Sequence, residues 1–287
     1  MRPWPAGSGS GRSSLGHSPA HGAFAAPIRD PIDDRPPRWE ATRRIASAAS
    51  ADCQRENVLN ARIAPLASSP LANRDAPWRL AFVLIPRFSL ITLGCATEAF
   101  RLANERHESP PFACRMLGVT PGEVRTNAGL RLATDGCIAE AEVAWDLIFL
   151  ISSLDSVEFD SPALSSWLRR AARAGTSIAA LGAATVLAAR LGLLDDHRCV
   201  THFRLYARFL ERFPRVRLER GLYCVDRRRI TCAGGLAALD LGLHLISDVV
   251  EPQVAHEVAE IAMTSRIRSG AESQRMSVRW RYGVSDR

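Results

Sequence analysis

Three groups along this chain have the types and order of a hydrolytic site: a carboxylate, Glu98; a tight turn, Gly182-Ala183-Ala184; and an imidazole, His202. The turn lies in "SIAALGAATVLAARLGLL" (177–194), which reads as a short buried strand, a turn and a helix. In α/β enzymes such a turn holds a Ser or Cys nucleophile before a helix N-terminus, tuned by a nearby acid or imidazole. Here the turn offers glycine and two alanines, so the reacting atom is missing. By residue type alone, Glu98 fits a buried, hydrogen-bonded carboxyl equally well, and a satisfied core histidine fits His202 better. Cys95, one helical turn before Glu98, is the only tempting substitute nucleophile, and a small packing residue explains it better. Asp240 and His244 stand four apart without an apparent third ligand, so a satisfied Asp–His pair is expected and no metal.

These residues need elements to position them, and the alternation is regular from Trp78 onward. "WRLAFVLI" (78–85) predicts a strand, "FSLITLGCATEAFRLANER" (88–106) a helix and "FACRMLGV" (112–119) a strand. A looser extended piece (130–138) and the buried strand "DLIFLIS" (146–152) follow. Ser161 caps a helix with Pro162 at its first position, and Gly175 ends it. After the strand and helix around Gly182, another helix is expected over 203–213 and a hairpin about Asp226–Arg229. Gly234-Gly235 then allows sharp entry into a helix (235–250) apolar nearly all round, hence buried. Strands alternating with helices imply an α/β fold: a three-layer α/β/α sandwich around a mostly parallel, flavodoxin-like sheet. Sites in such sheets form at the carboxyl ends of the strands, where Glu98, Gly182 and His202 are expected to converge.

Composition narrows the function classes. No apolar run is long enough to span a bilayer, and no secretory signal is recognised. The seven cysteines are scattered, without zinc spacing, as in reduced cytoplasmic proteins; no cofactor is implied. All 37 basic residues are Arg, and residues 78–265 balance 21 of them against 21 acids. A neutral body gives no electrostatic footprint for nucleic acid; the +7 net charge lies entirely in the two ends. Residues 1–77 hold ten of the 17 prolines and no sustained apolar period, which predicts a disordered extension. Residues 266–287 read as a basic linker.

Four stretches together resemble a known family. "FVLIPRFSLITLGCATEAFRLAN", "AALGAATVLAARLGLLDDHRCVTHF", "RFPRVRLERGLYCVDRRRITCAGGLAALDLGLHLI" and "AEIAMTSRIRSG" are similar to AraC-family transcriptional regulators with a PfpI-like sensor domain, of the class I glutamine amidotransferase-like superfamily. The resemblance covers residues 78–287, and "ITCAGGLAALDL" is its most specific part. Enzymes of that superfamily usually place Cys where this chain has Gly182, and the family commonly has two glycines where it has Ser152-Ser153. The resemblance therefore implies a catalytically inactive small-molecule sensor. Its binding surface would comprise Glu98, Ser152, Ser153, Gly182, Ala183 and His202, with backbone N–H groups at the elbow able to hold an anion. It further implies a small nitrogenous metabolite as ligand, such as an amino acid or quaternary amine, and a homodimer. DNA would be bound only through a helix-turn-helix module, before which this chain is expected to stop. The alternative is a PfpI-like hydrolase or amidotransferase-like enzyme with a nucleophile outside the elbow.

Overall fold

The computed structural model describes residues 76–275. Strand β1 (Trp78–Leu84) leads through Ser89, which caps helix α1 (Leu90–Asn104), into β2 (Phe112–Gly118). The short strands β3 (Glu123–Arg125), β4 (Arg131–Ala133) and β5 (Gly136–Cys137) precede β6 (Leu147–Ile151). Next come α2 (Pro162–Arg173), β7 (Ser177–Leu181), α3 (Ala184–Arg190) and β8 (Arg198–Val200). Helix α4 (Tyr206–Arg212), β9 (Arg217–Glu219), β10 (Tyr223–Asp226), β11 (Arg229–Cys232), α5 (Ala237–Val249) and α6 (Pro252–Ile261) complete the order.

Seven strands form the main sheet in the order β10-β11-β7-β6-β1-β2-β5. Every neighbouring pair is parallel except the edge hairpin β10–β11. The central strands are buried on both faces, and their alternation assigns each side chain to one of two cores. Leu80, Phe82 and Leu84 of β1, with Leu147, Phe149 and Ile151 of β6, pack with residues of α1, α5 and α6. Ala81 and Val83, with Ile148 and Leu150, pack with residues of α2, α3 and α4. Phe82 stacks on Phe149 at 4.7 Å, and Phe100 leans in from α1. Helices α1 and α5 meet closely, because a Cβ added to Gly242 would come within 2.7 Å of the Ala99 Cβ. The structure is the expected mostly parallel α/β sandwich.

Four local expectations change. The helix over 203–213 begins as a 3-10 turn (Phe203–Leu205) and becomes α-helical only at Tyr206. Helix α6, with Pro252 at its first position, has no counterpart among the expected elements; it buries Val254, Ala255, Val258 and Ala259. Asp240 does not pair with His244: it receives the backbone N–H and guanidinium of Arg268, while His244 stands 3.6 Å from Asp248. Residues 266–275, expected to open a linker, lie on the body. Arg268 is bound to buried Asp240, and the Gly270 carbonyl accepts from the Leu222 N–H. The expected extension (1–77, apart from its last two residues) and the remainder of the linker lie outside the described residues.

Candidate ligand site at the carboxyl edge of the sheet

The carboxyl ends of β6, β7 and β11 meet the N-terminal turn of α1 around a cavity of about 340 Å³. Ser152 and Ser153 follow β6, Gly182 and Ala183 follow β7, and Ala233 and Gly235 follow β11; all of them line it. Helix α1 contributes Ser89, Ile91 and Thr92, and the loop after β8 contributes His202 and Arg204. Five of the six expected site residues are therefore brought together.

Glu98 is the sixth, and it is elsewhere. It is exposed on α1, and its carboxylate accepts from the Arg101 guanidinium at 2.8 Å. Six residues beyond Thr92, a side chain has rotated by about 240° and risen by roughly 9 Å along a helix. Only the first turn of α1 reaches the cavity, through Ile91 and Thr92. Thr92 is buried; its hydroxyl donates to Ser89 Oγ and accepts the Gly235 N–H at 2.8 Å.

Gly182 has φ +67°, the left-handed region in which glycine is cheapest. A Cβ there would lie 3.1 Å from the Ser152 carbonyl oxygen, and one on the facing Gly234 would lie 3.1 Å from the Gly182 Cα. The sharp backbone of an elbow is thus retained with no side chain on it. Thr185, the second residue of α3, donates to the Gly182 carbonyl at 3.0 Å and shares a 2.5 Å hydrogen bond with the Thr201 hydroxyl.

The two serines are committed locally. Ser153 caps the 3-10 turn Leu154–Ser156: its Oγ accepts the Asp155 N–H and donates to the Arg87 carbonyl at 2.6 Å. The Ser153 N–H donates to Ser156 Oγ, which shares a 3.0 Å hydrogen bond with Ser152 Oγ. They shape the wall rather than present free hydroxyls.

His202 caps its own 3-10 turn, with Nδ1 accepting the Arg204 N–H at 3.2 Å, and its ring stacks on Phe203. Burial, aided by the Arg204 charge, holds its pKa below the ordinary imidazole value. The neutral ring, with Nδ1 accepting, carries its proton on Nε2 and offers a donor. Cys95 does not line the cavity, and burial, then Asp240, pushes its thiol up, away from the reactive thiolate. Residue pattern pointed to the turn and the family resemblance to His202, whereas Thr92, Asn127 and Arg204 had no sequence signal beyond their neighbourhood.

No family model matches the chain. The HTH-type transcriptional regulator CdhR of Pseudomonas aeruginosa is 34% identical over 206 residues, 72% of this chain and 61% of that protein. ArgR, another HTH-type transcriptional regulator of that species, is 36% identical over 210 residues, 73% of this chain and 62% of its own. These two relatives are HTH-type transcriptional regulators. The chain spans about three fifths of the length of these curated relatives. Among solved structures, an AraC family transcriptional regulator from Pseudomonas putida matches with a TM-score of 0.60 at 28% identity, covering 65% of this chain and all of that one. A ThiJ/PfpI family protein from Pseudomonas syringae matches with a TM-score of 0.58 at 15% identity, covering 67% of this chain and 76% of its own, which shows a shared fold. Among the described residues no helix is long and apolar enough to cross a membrane.

Proposed function

We infer that residues 78–275 form the small-molecule-sensing part of a cytoplasmic transcriptional regulator, and that the cavity binds its effector without turning it over. One observation carries this reading. The elbow turn is the floor of a cavity of about 340 Å³, and Gly182, Ala183 and Ala184 give that floor no nucleophilic atom. What the walls offer suits recognition: the His202 ring, the Arg204 guanidinium, the Asn127 amide and the Asp155 carboxylate. A small nitrogenous metabolite such as an amino acid or quaternary amine matches such a mixture of charge and hydrogen bonding. The relatives' designation as HTH-type regulators supports transcription control as the output, with DNA contacted through a helix-turn-helix module. Pairing of the sensor as a homodimer follows from the family resemblance alone.

The test is titration calorimetry of the full chain against a panel of amino acids and quaternary amines, alongside amidase and peptidase assays. A panel member should bind without turnover. Arg204→Ala or His202→Ala should weaken that binding about tenfold or more, the cost of one charge-assisted or buried hydrogen bond. Glu98→Ala should leave it unchanged. Turnover abolished by Cys95→Ser would overturn the reading in favour of an enzyme.

A further inference from the structure

Past α6, the described chain returns to the loop beside the cavity. Arg268 is anchored on Asp240 and Gly270 on Leu222, and the segment ends against the loop that carries His202 and Arg204. There the Gln274 amide is surrounded by partners. Its Oε1 accepts the Phe203 N–H at 2.8 Å. Its Nε2 lies 2.8 Å from the Thr201 carbonyl, 2.8 Å from the Tyr206 hydroxyl and 2.6 Å from the Gly221 carbonyl. Only an amide side chain can accept from a backbone N–H and donate to carbonyls with one planar group. Arg275 lies over the Phe203 ring at 5.2 Å, and that ring is stacked on His202.

Two short relays run from this amide to the cavity. One passes through Phe203 to His202 and Arg204. The other passes along Thr201, whose hydroxyl holds Thr185, which in turn holds the Gly182 carbonyl. We propose that Gln274 is a positioning residue for the cavity, holding the loop from which His202 and Arg204 line it. This rests on the cavity being a ligand site. An occupant that draws on His202 or Arg204 changes the loop to which Gln274 is bound. By linkage, anything that shifts Gln274 changes the cavity by the same free energy.

The experiment needs no ligand, so failure of the binding panel leaves it standing. In the full chain, Gln274→Ala should speed amide exchange at Phe203 and Leu205 about tenfold, the worth of one net hydrogen bond. It should also move the His202 imidazole titration, followed by NMR, up toward the ordinary value as the loop loosens and water enters. Reciprocally, His202→Ala and Arg204→Ala should speed exchange at Leu222 and Glu272, whose amides bond within the returning segment. Should Gln274→Ala fail to fold, Gln274→Met and Gln274→Leu fill the space without adding charge and lose both the acceptor and the donors. Each should shift His202 in the same direction. Variants that lower thermal stability while leaving the His202 titration and the Phe203 and Leu205 exchange as in the unsubstituted protein would overturn the proposal, leaving Gln274 a structural fastener.

Discussion

At the scale of single residues, Gly182 and His202 carry testable consequences of opposite kinds. Gly182 is held at φ +67° with the Ser152 carbonyl above it, so any Cβ meets both backbone strain and a close contact. Gly182→Ala should cost about 1–3 kcal/mol of stability in urea unfolding, the usual cost of forcing a side chain into that region. An unchanged midpoint would mean that the turn relaxes easily. His202 and His197 both titrate below the ordinary value, His202 through burial and Arg204, His197 through burial and Arg227. A lowered folded value means that the unfolded chain binds protons that the fold does not. Stability should therefore fall as pH drops through about 6.5, and level off once the folded histidines are protonated. Urea unfolding at a series of pH values should show this slope, and it should flatten in His197→Asn/His202→Asn. A slope unaltered by both substitutions would assign it to other groups. His202 was legible through the family resemblance, which outweighed the core histidine that residue type alone favoured. The facing of Glu98 was not legible: spacing shows that positions share a helix face, but not which face meets the cavity.

At the scale of elements, the sheet was readable because its strands announce themselves. "LIFLI" is too short and too apolar for anything but a doubly covered strand, and Ser161-Pro162 with Gly175 bracket α2 at both ends. Helix α6 escaped although it carries a proline at its start and apolar residues at 254, 255, 258 and 259; its period is short and follows directly on α5. The Asp240–His244 spacing is truly that of helix neighbours, yet the partner Asp240 takes comes from 28 residues away, which no local pattern contains. Helix contacts are equally non-local. The α1–α5 crossing depends on Gly242 against Ala99, where a Cβ would come to 2.7 Å. Gly242→Ala should cost about 1–3 kcal/mol through overpacking, measured by denaturant unfolding. Ala99→Gly in the same chain should recover part of that loss despite its own lower helix propensity. A double variant no better than the sum of the two would mean that the helices separate rather than clash.

At the scale of the whole molecule, the question is where the body ends, and a buried charge decides it. Asp240, in the first turn of α5, is almost fully enclosed at 4% exposure, and its carboxylate needs a partner there. Arg268 supplies it with two guanidinium contacts and the backbone N–H, although its own side chain remains about one third exposed (32%). The returning segment is therefore bound to the fold by the requirement of that carboxylate, three residues past the limit that charge counting set at Ser265. Nearby, Arg266 pairs with Glu272 through a comparable geometry but in solvent, with side chains 63% and 32% exposed. The two pairs should separate cleanly in unfolding experiments on the full chain. Arg266→Ala should leave the urea midpoint close to that of the unsubstituted protein, because the Arg266–Glu272 pair is screened by solvent. Arg268→Ala should cost about 3 kcal/mol, because it strands a buried carboxylate, with the partial exposure of Arg268 keeping the loss at the lower end for such pairs. Asp240→Asn/Arg268→Ala should be milder than Arg268→Ala alone, since no charge is then left unpaired. Equal, small losses from Arg266→Ala and Arg268→Ala would show the segment to be loosely laid on the body, and the domain boundary would return to Ser265.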